Sequence, residues 1–309
     1  MKNHSLKIVC AIFLYLILAS TAFAQETKIW GCDEFYRQLK LTSPYLKGYD
    51  VFELEERLQE LGYNPGQIDG VFDQKTKTAV QQLQKHKKLS PSGIVDLAVW
   101  SALGENCVQP TSNHKTPPPQ GRVKIIIDRD KHFLQIWSNG SLYKQYAVAV
   151  GKNETPSPIG EWKVISKGTN WGTGFGTRWI GLNVPWGIYG IHGTNKPWSI
   201  GRMASHGCFR MHNKQVEEIF PWIKIGTPVT VKGKLYGMKH RLLKKGNTGQ
   251  DVVFVQLCLR EEKLLWIPAD GRFGESTEQA LILYQLLHNL PATGQVDQVT
   301  WDLMSNKSE

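Results

Sequence analysis

Cys208 sits in the run Ser205-His206-Gly207-Cys208-Phe209-Arg210-Met211-His212, sixteen residues after His192 of Ile191-His192-Gly193. A thiol among imidazoles admits three chemistries. It can be structural, since free cysteine is among the most buried residue types, although its Ser, His and Gly neighbours are not those of a core. It can bind zinc, because His192, His206, Cys208 and His212 suffice for a tetrahedral site. The His-x-Cys spacing is not that of a familiar finger, however, and no second cysteine or acid lies close by. It can be a nucleophile, for thiolate is the reactive form and a nearby imidazole accepts its proton. Gly207 then keeps the turn narrow, and the N–H groups of Gly207 and Cys208 are candidates to face a developing oxyanion. His192, arriving from another segment, supplies the base.

The elements that must position this cluster read as strands. From Val123 the apolar spacing is two: Ile125 with Ile127, Leu134 with Ile136, Tyr146 with Val148 and Val150. Asn139-Gly140 between two such runs predicts a hairpin turn. Trp171, Trp179, Trp186, Tyr189 and Trp198 crowd the motif and are expected to be mostly core, with one or two lining a groove. Helical period returns with Val216, Ile219 and Phe220. The middle domain, 122–233, is therefore mostly β.

On either side lies an internal repeat. Residues 48–103 align without a gap on 249–304, and sixteen of the 56 positions are identical, including Asp69-Gly70-x-Phe72 on Asp270-Gly271-x-Phe273 and Trp100 on Trp301. Each unit predicts three short helices: Val51, Leu54, Leu58 and Leu61 share one face, Ala79, Val80 and Leu83 another, and Asp96 caps the third. So small a unit must commit nearly all its apolar side chains to a core. Cys258, opposite Arg57 in the repeat, is expected as a buried thiol, and Cys32 and Cys107 bracket the first unit closely enough for a bridge to be conceivable. Residues 105–121, with Pro110 and Pro117 to Pro119, have the composition of a stiff linker.

Lys2 and Lys7, an apolar run from Ile8 to Leu18 and Ala22-Phe23-Ala24 form the layout of a cleavable export signal, residues 1–24, with an uncleaved anchor as the other reading. The run is shorter than the roughly 20 residues of a membrane span. Cys10 follows no lipoprotein-type box. Export places the mature chain outside the cytoplasm, in periplasm or cell wall, with no membrane tie after cleavage and little scope for nucleic acid. Hydrophobic residues at 41 % and charged residues at 21 % exclude wholesale disorder, and five cysteines in 309 residues exclude a disulfide scaffold. The net charge of +10 is concentrated: residues 121–233 hold 15 basic and six acidic side chains, while the repeat units are nearly neutral. That distribution suits an acidic polymer facing the middle domain.

The stretch His192-Gly193-Thr194…Ser205-His206-Gly207-Cys208-Phe209-Arg210-Met211 closely resembles the catalytic motif of the L,D-transpeptidase (YkuD-type) family, and Thr155-Pro156-Ser157-Pro158-Ile159-Gly160 resembles that family's T-P-x-P-x-G segment. The repeats, 45–104 and 241–304, resemble peptidoglycan-binding modules. The second has Lys263-Leu264 where the first has Gly62-Tyr63. The resemblance implies a mostly-β, YkuD-like β-sandwich catalytic domain at 122–233 between two three-helix modules. It implies Cys208 as nucleophile and His192 as base, with the Gly193 carbonyl fixing the imidazole tautomer. Ser205, His206 and Gly207 shape the turn, Arg210 braces the loop or meets a substrate carboxylate, and His212 is a surface or helix-capping residue. The implied reaction cleaves the bond before the terminal D-alanine of a tetrapeptide stem through a thioester and forms 3→3 cross-links, without cofactor or metal. Implied partners are stem peptides, the glycan wall and carbapenem-type inhibitors. An L,D-carboxypeptidase using the same site and a zinc-dependent stem-peptide hydrolase are the alternatives.

Overall fold

The computed structural model describes residues 30–31, 37–105, 116–169, 174–235 and 238–306. The expected export signal with Cys10, the cysteines Cys32 and Cys107, most of the linker and Trp171 lie outside the described residues. In chain order, a two-residue strand β1 (Trp30–Gly31) precedes the first helical unit, α1 (Tyr49–Glu60), α2 (Gln74–His86) and α3 (Leu97–Leu103). The middle region opens with β2 (Val123–Asp128), β3 (Phe133–Ser138), β4 (Ser141–Ala147) and β5 (Val150–Gly151). It continues through β6 (Gly160–Thr169), β7 (Arg178–Leu182), β8 (Gly187–His192), β9 (Met203–Ser205) and β10 (Phe209–Arg210). Helix α4 (Asn213–Ile219) and β11 (Pro228–Lys232) complete it, before α5 (Gln250–Glu261), α6 (Glu275–Leu287) and α7 (Gln298–Asn306) form the second helical unit. Two helical units thus flank a mostly-β domain. Among the described residues no helix is long and apolar enough to cross a membrane.

The strands run β1-β8-β7-β6-β11-β2-β3-β4 in one nine-stranded sheet, with β10 beside β8, and β5 and β9 make a separate parallel pair. The expected hairpin joins β3 to β4: Asn139 and Gly140 have φ of 48° and 85°, the two positive values that a type I′ turn requires. Ile125, Ile127, Leu134 and Ile136 are wholly buried on the inner face, where Val216 and Ile219 of α4 and the Trp162 indole also pack.

The two helical units keep their shape through the same buried hydrogen bonds. Gln84 Oε1 accepts from Gly93 N–H at 2.8 Å, and Gln285 Oε1 from Gly294 N–H at 2.9 Å. Glu55 Oε2 accepts from Gly70 N–H at 2.9 Å, and Gln256 Oε1 from Gly271 N–H at 2.8 Å. Burial, outweighing these bonds, raises the Glu55 carboxyl above its usual range; the neutral Gln256 does the same work without charge. Asp96 accepts from Val99 N–H at 3.0 Å as the predicted cap, and Asp297 from Thr300 N–H at 2.8 Å. Cys258 is a reduced, half-buried thiol, more open than expected, because α5 carries it at the edge of the core rather than inside it.

The second unit is fused to the β domain. Gln250 pairs with both backbone groups of Ile159, at 2.8 and 2.9 Å, Arg260 meets Glu161 at 2.7 Å, and Val253 and Ala269 join the core of the sheet domain. The first unit docks elsewhere, against the turn that carries Cys208.

Candidate active site

His192 ends β8, and β10 runs parallel beside it with Phe209 opposite Ile191 and Arg210 opposite His192. Cys208, one residue before β10, is thereby brought next to the strand bearing His192. The preceding strand, β9, is held by β5 and by the segment after it. Lys152 N–H donates to Ser205 O at 3.0 Å, Thr155 Oγ1 to the same oxygen at 3.3 Å, and Ser157 Oγ accepts from Gly151 N–H at 2.8 Å. The Thr155–Gly160 segment is therefore the buttress of the cysteine turn.

Within the turn, Ser205 Oγ donates to Cys208 O at 2.6 Å and accepts from Gly207 N–H at 3.1 Å. The Gly207 amide, read from the sequence as a candidate oxyanion donor, thus donates to Ser205 here. Gly207 has φ of 112°, and a Cβ there would lie 2.7 Å from Tyr189 Cε1, so conformation and space both demand glycine. Burial pushes the Tyr189 phenol beneath it up to about 12.

His192 is wholly buried, with Nδ1 2.5 Å from Gly193 O. A carbonyl oxygen only accepts, so Nδ1 carries the proton in this bond. Gly193 N–H donates to Arg178 O at 3.1 Å, and a Cβ on Gly193 would lie 2.1 Å from Asn213 Oδ1, which itself accepts from Thr177 N–H at 3.2 Å. The imidazole packs against two aromatics that also touch each other, Phe175 (centroids 5.2 Å, 75°) and Trp179 (5.8 Å, 27°). The same two rings form one buried cluster with Cys208.

Positive charge gathers around the turn. Lys152 is held below its ordinary pKa, first by burial and then by the Arg210 charge. Cys208 is wholly buried, with Sγ 4.0 Å from Ile188 O, and is disulfide-bonded.

The L,D-transpeptidase catalytic domain description matches residues 122–231, and the putative peptidoglycan binding domain matches 47–103 and 248–304. Over 107 residues, 35 % of this chain, it is 46 % identical to the putative L,D-transpeptidase YkuD of Bacillus subtilis, spanning 64 % of that relative. Over 148 residues it is 33 % identical to the putative L,D-transpeptidase YqjB of the same organism, 43 % of this chain and 77 % of the relative. The chain belongs to the L,D-transpeptidase family. A crystal structure of the L,D-transpeptidase from Xylanimonas cellulosilytica aligns over 60 % of this chain and 94 % of that one, at 24 % identity and a TM-score of 0.30.

In this L,D-transpeptidase-family chain the motif residues do not all converge. Arg210 is wholly buried and bonds Glu53 of α1 at 2.9 Å, which corrects the expectation that it meets a substrate carboxylate: its carboxylate is internal. His206 packs edge-on against Tyr49 of α1, with ring centroids 3.9 Å apart. His212 occupies the N-cap position of α4 without a side-chain cap bond, and its ring is buried rather than on the surface. Burial lowers its pKa. His206 and His212 thus lie against neighbours other than the Phe175–Trp179 pair that His192 and Cys208 share, and among the described residues no group of three or more His, Cys, Asp or Glu is gathered to hold a metal ion. Trp198 stacks on Trp100 of the first unit (6.2 Å, 17°) and Trp186 packs on Trp162, so both are interface or core residues.

Sequence reading did not single out Phe175, Asn213 or Glu53. Asn213 had a local signal, following the motif directly. Glu53 had none: with Glu56, Arg57 and Glu60 at i+3, i+4 and i+7, its face of α1 reads as a solvated one.

Proposed function

We propose that this protein is a cysteine-dependent L,D-transpeptidase acting outside the cytoplasmic membrane on peptidoglycan stems, with its two helical units serving wall attachment. The observation carrying this reading is that Cys208 and His192, sixteen residues apart, share one aromatic pair, Phe175 and Trp179, while Gly193 O holds the imidazole in the tautomer of a base.

The thiol enters the reaction reduced. His192 Nε2 takes its proton, and the thiolate attacks the carbonyl of the third stem residue, a diamino acid. The tetrahedral intermediate collapses as His192 returns the proton to the departing amine of D-alanine, leaving a thioester on Cys208. The side-chain amine of a second stem then attacks, thiolate departs, and a 3→3 cross-link forms. Water in place of the amine gives the L,D-carboxypeptidase outcome. Carbapenems, which present a strained amide carbonyl, are expected to acylate the same sulfur. The surplus of cations in the catalytic domain suits both the thiolate and carboxylate-rich stems.

The test is release of D-alanine from a tetrapeptide-stem dimer by the reduced full-length protein, with cross-linked product identified by mass. Cys208→Ala releasing D-alanine as fast as the parent overturns the reading. Loss of activity with chelators but not with thiol alkylation favours the zinc hydrolase instead.

A further inference from the structure

Glu53 lies on α1 of the first helical unit and is 7 % exposed. Its Oε1 accepts from Arg210 Nη1 at 2.9 Å, and its Oε2 accepts from Lys196 Nζ. Arg210 stands two residues beyond Cys208 and in register with His192 across the β8–β10 pair. Lys196 stands four residues beyond His192. One carboxylate therefore joins the segment leaving the nucleophile to the segment leaving the base. Arg210 is also locked through its backbone, exchanging hydrogen bonds with Ala149 at 2.9 and 3.1 Å. Movement of α1 is thus transmitted to β10 rather than absorbed by a flexible side chain.

All three side chains are at least nine-tenths buried. Charges so far from water need partners of good geometry, and removing one leaves the others uncompensated. A carboxylate with a cation on each oxygen is fixed in rotation as well as position, since charge-assisted bonds are short and directional. Flanking contacts keep it seated. Tyr49 packs on His206, the Arg57 guanidinium lies 5.3 Å over Trp198, and Lys196 lies 5.2 Å over Trp100.

The repeat supplies an internal comparison. At the register of Glu53 the second unit has Phe254, which packs on Trp301 in that unit's own core, with ring centroids 4.9 Å apart. At the register of Tyr49 it has Gln250, which grips Ile159. The same small fold is docked twice by different residues, and it is the first copy that reaches the cysteine turn.

We infer that Glu53 is a positioning residue for acyl transfer, setting the Cys208 and His192 segments against each other, and that the first helical unit is a working part of the active site as well as an attachment module. This rests on the reading of Cys208 and His192 given above.

The test uses the reduced full-length protein. It measures D-alanine release from a tetrapeptide-stem substrate and acylation of Cys208 by a carbapenem, followed by intact mass. Glu53→Gln keeps the shape and removes the charge. Its kcat and acylation rate are expected to fall about 10- to 100-fold with KM nearly unchanged, because a small misplacement of reacting groups costs on that order and Glu53 touches no substrate. Arg202→Gln, which breaks an exposed ion pair with Glu60 across the same interface and leaves Glu60 paired with Arg57, is expected to keep parental rates. Parental rates in a folded Glu53→Gln protein, or a loss confined to KM, overturn the inference. Should Glu53→Gln not fold, Lys196→Met reads the same clamp with the Glu53–Arg210 pair intact; a lowered kcat supports it and parental turnover overturns it. If the parent itself is not acylated, the assignment of Cys208 falls and the inference with it. If the parent is acylated and Glu53→Gln equally so, the clamp alone falls.

Discussion

Trp179 lies over the imidazole of His192, with ring centroids 5.8 Å apart and planes 27° from parallel. Because the two residues are directly paired across β7 and β8, the sheet register itself enforces the stack. Phe175 packs edge-on to both rings, so the three form one mutually touching cluster. The imidazole is thereby held in one orientation before any substrate arrives, with its tautomer fixed by Gly193 O.

Trp179→Ala should uncouple that orientation from the fold. Truncating a buried tryptophan costs about 3–5 kcal/mol in stability, so the activity assay belongs well below the lowered melting temperature. There kcat is expected to fall roughly tenfold or more, while His192→Ala, which removes the proton acceptor, loses about 10²–10⁴-fold. Trp179→Phe keeps a ring over the imidazole and should retain most of the turnover.

The disulfide on Cys208 gives a redox prediction. A thiol in a disulfide is not a nucleophile. Protein purified without reductant should therefore release no D-alanine and take up no alkylating label at Cys208. A dithiol donates two electrons and two protons, becomes a cyclic disulfide itself and frees both cysteines. The intact mass should rise by about 2 Da and D-alanine release should appear. Peptide mapping under non-reducing conditions identifies the second cysteine. Equal activity with and without dithiol would show that the bond does not hold the enzyme silent.

Legibility of the sequence followed the reach of each interaction. The strands, the Asn139-Gly140 turn and the helix caps at Asp96 and Asp297 depend on near neighbours, so spacing and residue type disclosed them. The two segments bearing His192 and Cys208 stood out by residue type and spacing, but the Phe175–Trp179 pair that they share did not. The role of Arg210 was not readable, because its partner Glu53 lies 157 residues away on another domain and nothing local distinguishes an internal carboxylate from a substrate one. The hydrogen bond from the Gly207 amide to Ser205 Oγ was hidden for a similar reason: it depends on a side-chain rotamer that type and spacing do not specify.

Gly207→Ala tests the turn directly. The added methyl meets Tyr189 Cε1 at 2.7 Å at a residue with φ of 112°, so the backbone must shift and carry Cys208 with it. Turnover is expected to fall about 10²-fold, the scale of a 1 Å misplacement of reacting groups. Ser205→Ala frees the Gly207 amide and leaves Cys208 O without its donor, and should lower kcat less. Comparing the two variants at matched temperature separates backbone displacement from loss of one side-chain bond.

His212 sets an acid limit on stability. Burial alone lowers its folded pKa below the ordinary histidine value of about 6.5. Below that value the unfolded chain takes up a proton that the folded chain refuses, so unfolding is favoured as pH drops. The contribution of a neutral His212 is complete above about 6.5 and is lost as pH falls toward the folded pKa. Glu218 works in the same direction at lower pH: burial opposes its ionisation, but hydrogen bonds from Lys144, Thr116 and Tyr146 outweigh it and lower its pKa. Its stabilisation is therefore present above the ordinary glutamate range and lost as pH falls below it. Melting temperatures measured between pH 7.5 and 5 should decline in the parent and decline less in His212→Gln, whose side chain cannot take the proton. A parallel decline in both proteins would assign the acid sensitivity in that window to other groups.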